Sequence, residues 1–175
     1  MSDAIAAWRQ SADCFDAVYA QVGDDDWAKA SGTGEWTVQD LADHVLFWQA
    51  SIGGIFGASV APEDGWPAIK QALSGALDVP SVLEGMIEGG PMNGMPKHAA
   101  LGLGVTDVLL HSWDLGQAIG VDVTFPDAAI VAVRMGLSQM PEEMLRSPTM
   151  FASEIPVPEE ASDQEKLLGF AGRQP

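Results

Sequence analysis

Asp107, His111 and Asp114 carry the clearest chemical signal in this chain, and His44 completes it. A helix turns by about 100° per residue, so positions i, i+4 and i+7 fall on one face. Asp107, His111 and Asp114 have that spacing, and Ala100, Leu103, Gly104 and Ala118 share the face with them. Three ionisable side chains on a small, apolar stripe are costly to bury unless something pairs them. A divalent metal ion is the simplest such partner. His44 alone would read as a satisfied helix histidine. It borders the apolar stripe of a second helix, however, so two helices would each present imidazole or carboxylate inward. Helical bundles build metal sites in this way.

Two helices must position these groups. Thr37 followed by Asp40 marks the start of the first, because the hydroxyl can cap a free backbone N–H and the acid suits the positive helix end. Leu41, Val45, Trp48, Ile52 and Ile55 then recur at helical spacing, with His44 three residues after Leu41 and four before Trp48. The pattern predicts a helix from Val38 to Phe56. The second helix is predicted from Lys97 to Ile119. It follows a break through Gly89 to Pro96 and stops at Gly120. Around this pair, Ile5, Trp8, Ala12, Phe15, Val18, Tyr19 and Val22 make the stripe of a helix from Asp3 to Val22. Further helices are predicted from Pro67 to Leu77, Ser81 to Glu88, Ala128 to Met140 and Asp163 to Phe170. The stretch from Ser147 to Ala161 holds Pro148, Pro156 and Pro158, and it reads as an extended arm with strand-like alternation at Phe151, Ile155 and Val157. No internal repeat or linker divides the chain. The expected fold is all-α: one domain over residues 1–175, a four-helix bundle with short peripheral helices and an extended C-terminal arm.

Composition narrows the partners. A chain of 175 residues with 47% hydrophobic content can bury a full core. Its formal charge of −17 argues against nucleic acid and anionic membrane, since both require basic surface. Cys14 is the only cysteine, so no intramolecular disulfide forms, as befits a reducing cytoplasm. No basic segment precedes Asp3, and no signal peptide is expected. The longest uncharged run, Val45 to Pro62, contains Gln49, two serines and several glycines. It reads as a buried helix rather than a membrane span. Apolar helix faces serve cores and dimers alike, so a homodimer is left open.

The segments Trp36-Thr37-Val38-x-Asp40-Leu41-x-x-His44-Val45 and Asp107-Val108-Leu109-Leu110-His111-Ser112-Trp113-Asp114-Leu115, the latter followed by Ala118 and Gly120, resemble the DinB/YfiT-like metalloenzymes. The similarity is to the N-terminal domain of mycothiol-dependent maleylpyruvate isomerase and its stand-alone actinobacterial relatives in particular. The ending Leu167-Leu168-Gly169-Phe170-Ala171-Gly172-Arg173-Gln174-Pro175 is similar to the family's usual close. The resemblance covers almost the whole chain. It implies a DinB-like four-helix bundle with a metal held by three inward side chains: a His from the second helix, then an acid or His and a second His from a later one. By position these are His44, Asp107 and His111. Asp107 stands where the isomerases carry Glu. One methylene shorter, it reaches a metal only if the helices approach more closely or a water intervenes. The isomerases also carry a second, C-terminal domain with no counterpart in this sequence.

Two histidines and one carboxylate leave a coordination position open, the pattern of catalytic rather than structural metal. Zn²⁺ fits best by ligand type, and the set also suits Ni²⁺ or Fe²⁺. The net positive charge would stabilise hydroxide or an incoming thiolate. In the resembled isomerases the open position serves a low-molecular-weight thiol. The resemblance therefore implies a mycothiol-like cofactor and a small-molecule electrophile, in transferase or isomerase chemistry. Asp114 would orient a histidine through its other ring nitrogen or bind polar groups of the cofactor. Trp36 and Trp113, with Trp48, would wall the cofactor site. Two readings compete with this one: a non-catalytic metal- or ligand-binding bundle, and an interaction protein whose polar cluster pairs with itself. Cys14 lies in a core-like helix with no nearby His in sequence and reads as an inert, buried thiol. His98 reads as solvent-facing, and Asp24 to Asp26 as a solvated turn.

Overall fold

The helix Lys97–Ile119 (α4) is the element around which the others are arranged. In this computed structural model, residues 2–147 and 150–175 are described. Helices α1 (Ser2–Tyr19) and α2 (Val38–Ile55) pack along α4, and α5 (Asp127–Leu137) packs against α1 and α4. Helix α3 (Trp66–Ala76) lies against α2, while α6 (Glu142–Leu145) and α7 (Asp163–Phe170) complete the C-terminal part. Among the described residues there is no β-strand, only two isolated bridges. The fold is an all-α bundle, as the periodicity predicted.

The sequence explains why α4 is central. Leu101, Val105, Val108, Leu109, Leu110 and Leu115 are buried, and with Ala100, Gly104, Thr106, His111 and Asp114 the buried positions run around most of its circumference. A helix that is apolar nearly all round belongs inside a fold. Its buried hydroxyls are satisfied locally: Thr106 Oγ1 donates to the Gly102 carbonyl at 2.9 Å and Ser112 Oγ to the Val108 carbonyl at 2.7 Å. Helix α1 buries Ile5, Trp8, Ala12, Phe15 and Val18 along its predicted stripe. Phe15 meets Trp66 edge-on, with ring centroids 4.7 Å apart, and so ties α3 to the core.

The helix that carries His44 starts where the Thr37–Asp40 pair predicts. Thr37 Oγ1 accepts from the Asp40 N–H, and Asp40 Oδ2 accepts from the Thr37 N–H at 2.9 Å. Such a cap is worth about 1 kcal/mol. Gly120 takes a left-handed φ of 78° and ends α4. Helix α7 has the same capping box, between Ser162 and Glu165.

Four expectations require correction. Helix α1 ends at Tyr19 rather than Val22. Pro80–Leu83 forms a 3-10 turn, and no helix continues to Glu88. Gly85, at φ 83°, turns the chain away, into a closed loop in which the Ile87 N–H donates to the Met95 carbonyl and the Gly94 N–H to the Ile87 carbonyl. Helix α5 ends at Leu137 rather than Met140, and Pro141 opens the one-turn α6 instead of only ending α5. The arm forms no strand among its described residues. A single backbone bond, Ile155 N–H to the Gly169 carbonyl at 2.9 Å, pins it to α7. Pro148 and Thr149 lie outside the described residues. Among those residues, no helix is long and apolar enough to cross a membrane.

Candidate metal centre

Helices α2 and α4 meet closely at Gly104. A Cβ there would sit 2.9 Å from Ile52 Cδ1 and 3.6 Å from Gln49 Oε1, so the missing side chain is what lets the two backbones approach. One turn further along α4 is Asp107. Across this seam Asp107 Oδ1 stands 3.1 Å from His44 Nε2. His111, one turn beyond, places its own Nε2 3.6 Å from the same oxygen. The ligand atoms of His44, Asp107 and His111 all lie within 4.8 Å of one another. Four ligands at about 2.0–2.1 Å from a tetrahedral zinc stand about 3.3 Å apart. The two distances to Asp107 Oδ1 fall on either side of that value, and the set as a whole lies within 4.8 Å, so the donors suit a small divalent ion by their chemistry and stand near the spacing one requires.

The site is graded from solvent to core. The side chains of His44, Asp107 and His111 are 27%, 17% and 11% exposed, so its open side is the His44 side. Trp36 stands there, its ring centroid 4.8 Å from that of His44 and 6.3 Å from that of His111. Trp48 touches His44 from its own helix, at 6.4 Å. Trp113 is placed elsewhere. Two positions beyond His111, it faces round the helix and packs against the hydrophobic core. His98 is exposed, as expected.

Asp114 is brought against His111. His111 Nδ1 lies 2.9 Å from Asp114 Oδ2. Arg173, in the segment after α7, grips the same carboxylate with two bonds, Nε to Oδ1 at 2.8 Å and Nη2 to Oδ2 at 2.6 Å. Burial pushes the Asp114 carboxyl upward, but the hydrogen bond from His111 and the charge and hydrogen bonds of Arg173 outweigh it, and the net shift is below the ordinary 3.8. An ionised carboxylate only accepts, so the hydrogen of a neutral His111 sits on Nδ1 and its Nε2 lone pair is left facing Asp107 and His44. Among the described residues no carboxylate orients His44 in this manner.

Asp107 has its own support. Gln49 Nε2 donates to Asp107 Oδ2 at 3.1 Å and to the Gly104 carbonyl at 3.0 Å. Gln49 Oε1 in turn accepts from Trp8 Nε1 at 3.0 Å. Oδ2 is therefore engaged, and Oδ1 is turned to both histidines. A polar chain runs from Trp8 on α1 through Gln49, Asp107, the two histidines and Asp114 to Arg173. Gln49, Trp8 and Arg173 had not been picked out as site residues in the sequence. Gln49 was visible only as an amide in an apolar run, and Arg173 only as one residue of the closing segment Leu167–Pro175, with no role attached.

Residues 8–72 match the family described as mycothiol maleylpyruvate isomerase N-terminal domain. That span includes Trp36, His44 and Gln49; Asp107, His111, Asp114 and Arg173 lie beyond it and join the site through the packing of α4 and the tail. Two uncharacterized proteins from two strains of Mycobacterium tuberculosis are each 28% identical to the chain, over 98% of its length and 98% of theirs. No solved structure matches the chain. The resemblance to that N-terminal domain read from the sequence is borne out over residues 8–72, which hold the Trp36–Val45 segment.

Proposed function

We propose that this chain, related to the mycothiol maleylpyruvate isomerase N-terminal domain family, binds one divalent metal ion through His44, Asp107 and His111, and that it is an enzyme acting on a low-molecular-weight thiol. One observation carries the reading: two imidazole Nε2 atoms from different helices converge on a single carboxylate oxygen, at 3.1 and 3.6 Å. In a metal-free network His44 Nε2 can donate to that oxygen, but His111, whose hydrogen Asp114 holds on Nδ1, turns a bare lone pair toward it from 3.6 Å. A cation is the partner that satisfies all three donors together. When bound, the metal supplies a positive centre that stabilises a thiolate. The chain's own residues do the rest. Gln49 holds Asp107 with Oδ1 turned inward, Asp114 holds the hydrogen of His111 on Nδ1, and Trp36 flanks the open side with an apolar face for a ligand. Zinc suits the two nitrogens and one oxygen best. The family match supports mycothiol as the thiol, with a small electrophile as its co-substrate and transfer or isomerisation as the outcome.

Metal-reconstituted protein should accelerate reaction of a mycothiol-type thiol with small electrophiles, and His111→Ala should lose the acceleration. Stoichiometric metal with no acceleration for any thiol would instead favour a non-catalytic metal-binding bundle. Absence of metal from reconstituted wild type would remove the proposal altogether.

A further inference from the structure

We infer that Arg173 is a positioning residue for His111, so that docking of the C-terminal segment and the readiness of the metal site are one linked event. The inference rests on the metal reading for its purpose, but its geometry stands apart from it. Asp114 is buried, and its two oxygens are committed on both sides: Arg173 Nε to Oδ1, Arg173 Nη2 to Oδ2, and His111 Nδ1 to Oδ2. The paired contacts of a guanidinium fix the plane of a carboxylate as well as its place. With the plane fixed, Oδ2 is aimed at Nδ1, and the ring of His111 presents Nε2 toward Asp107 and His44. Without the guanidinium the carboxylate is free to rotate, and the tautomer of His111 is no longer dictated.

The tail that carries Arg173 is held by several independent contacts. Gln164 of α7 donates to the Val123 carbonyl and accepts from the Phe125 N–H, both at 2.8 Å, which seats α7 on the connection between α4 and α5. Arg146 donates to the carbonyls of Ala152 and Phe170, each at 2.8 Å, and lies over the Phe170 ring at 4.8 Å. Gly169 and Gly172 let the arm lie flush on this segment. A Cβ at Gly169 would fall 2.6 Å from the Ile155 carbonyl oxygen, and one at Gly172 would fall 2.8 Å from Ala152 Cβ. Arg173 is thus the end of a built strut that reaches back 59 positions in sequence to Asp114. Coupling between two events is reciprocal. If tail docking favours the metal-ready His111, metal binding must favour the docked tail.

The test has two readouts. In metal-free protein with ¹⁵N-labelled histidine, NMR should report His111 as the Nδ1–H tautomer in wild type and as a mixture in Arg173→Met. In a competition titration with Zn²⁺ alone, Arg173→Met should bind about tenfold more weakly, the lower end of the effect of outer hydrogen-bond partners on metal affinity. Arg173→Lys keeps the charge but not the fork, and should recover part of both signals. In an Asp114→Ala background, Arg173→Met should add less than about a twofold further loss, because the connection is already cut. An unchanged His111 tautomer in Arg173→Met, or an equal loss of affinity with and without Asp114, would overturn the inference. If Arg173→Met does not fold by circular dichroism, the tautomer in Arg173→Lys and in Asp114→Ala decides: wild-type spectra in both would overturn it. Wild type with the expected tautomer but no affinity for Zn²⁺ would sink the metal reading while leaving the positioning role standing.

Discussion

His111 and Ser112 are neighbours on α4, turned about 100° from each other, and they meet different partners with opposite electrostatics. On the Ser112 side is Cys14 of α1, half-buried rather than the buried thiol expected from the sequence. Burial pushes its thiol up from the ordinary 9.0, and a hydrogen bond with Ser112 opposes that shift without reversing it. Its other polar neighbour is the Thr124 carbonyl, 3.8 Å from Sγ. On the His111 side is Asp114, more deeply enclosed, whose carboxyl is nevertheless held below its ordinary value because His111 and Arg173 are arranged around it. Partial burial without a charged partner favours the neutral form of the thiol. Burial among placed partners keeps it charged, and the charge can then orient a histidine.

The sharpest way to break this contrast is to remove a ligand from the site side. His44→Ala or His111→Ala should cost at least about 100-fold in metal affinity by competition titration, because each removes a direct donor from a three-donor set. Next in size is the support of Asp107. Gln49→Ala would leave the Trp8 N–H, the Gly104 carbonyl and Asp107 Oδ2 without their present partner, and should destabilise the protein by about 1–3 kcal/mol in urea unfolding. A change under a few tenths of that would mean the buried polar chain is not structurally important.

A smaller effect separates the two groups by pH. The carboxyl of Asp114 is lowered in the folded protein, so its stabilising contribution is present above the ordinary 3.8 and is lost as pH falls through the folded value. The thiol of Cys14 is raised, so its contribution is present below the ordinary 9.0 and is lost as pH rises through the folded value. Metal-free Asp114→Asn should therefore flatten the acid limb of a thermal-stability profile, and Cys14→Ala the alkaline limb. The reverse assignment would contradict the contrast. The smallest expected effect is that of Cys14→Ala on metal binding: affinity within about twofold of wild type, since the thiol's polar contacts, Ser112 and the Thr124 carbonyl, are shared with none of the metal ligands. Slow alkylation of Cys14 in native protein, compared with a free thiol, would sharpen the same point.

How far the sequence revealed this molecule follows from the range of the interactions. Helix α2 begins at Val38 because Thr37 and Asp40 are three residues apart, and α4 ends at Ile119 because Gly120 follows; both signals are local. The shared face of Asp107, His111 and Asp114 is a property of one helix, and it too was readable. The supports of the site were not. Gln49 meets Trp8 across 41 positions and Asp107 across 58, and Arg173 meets Asp114 across 59. Nothing in their local spacing distinguishes them from any other amide or guanidinium. Trp113 shows the converse failure: near the motif in sequence, it is turned to the core by the helical rotation that brings Asp114 to His111. The loop after Leu83 was misread because Gly85, at φ 83°, overrides a sequence that otherwise permits another helical turn.

The central claim is a metal held by two helices, and elemental analysis of purified, tag-free wild type beside His44→Ala tests it most directly. The account predicts about one zinc, nickel or iron ion per wild-type chain and none in the variant. No metal in wild type after reconstitution, or equal metal in both proteins, would contradict it and leave the Asp–His cluster as a buried polar network.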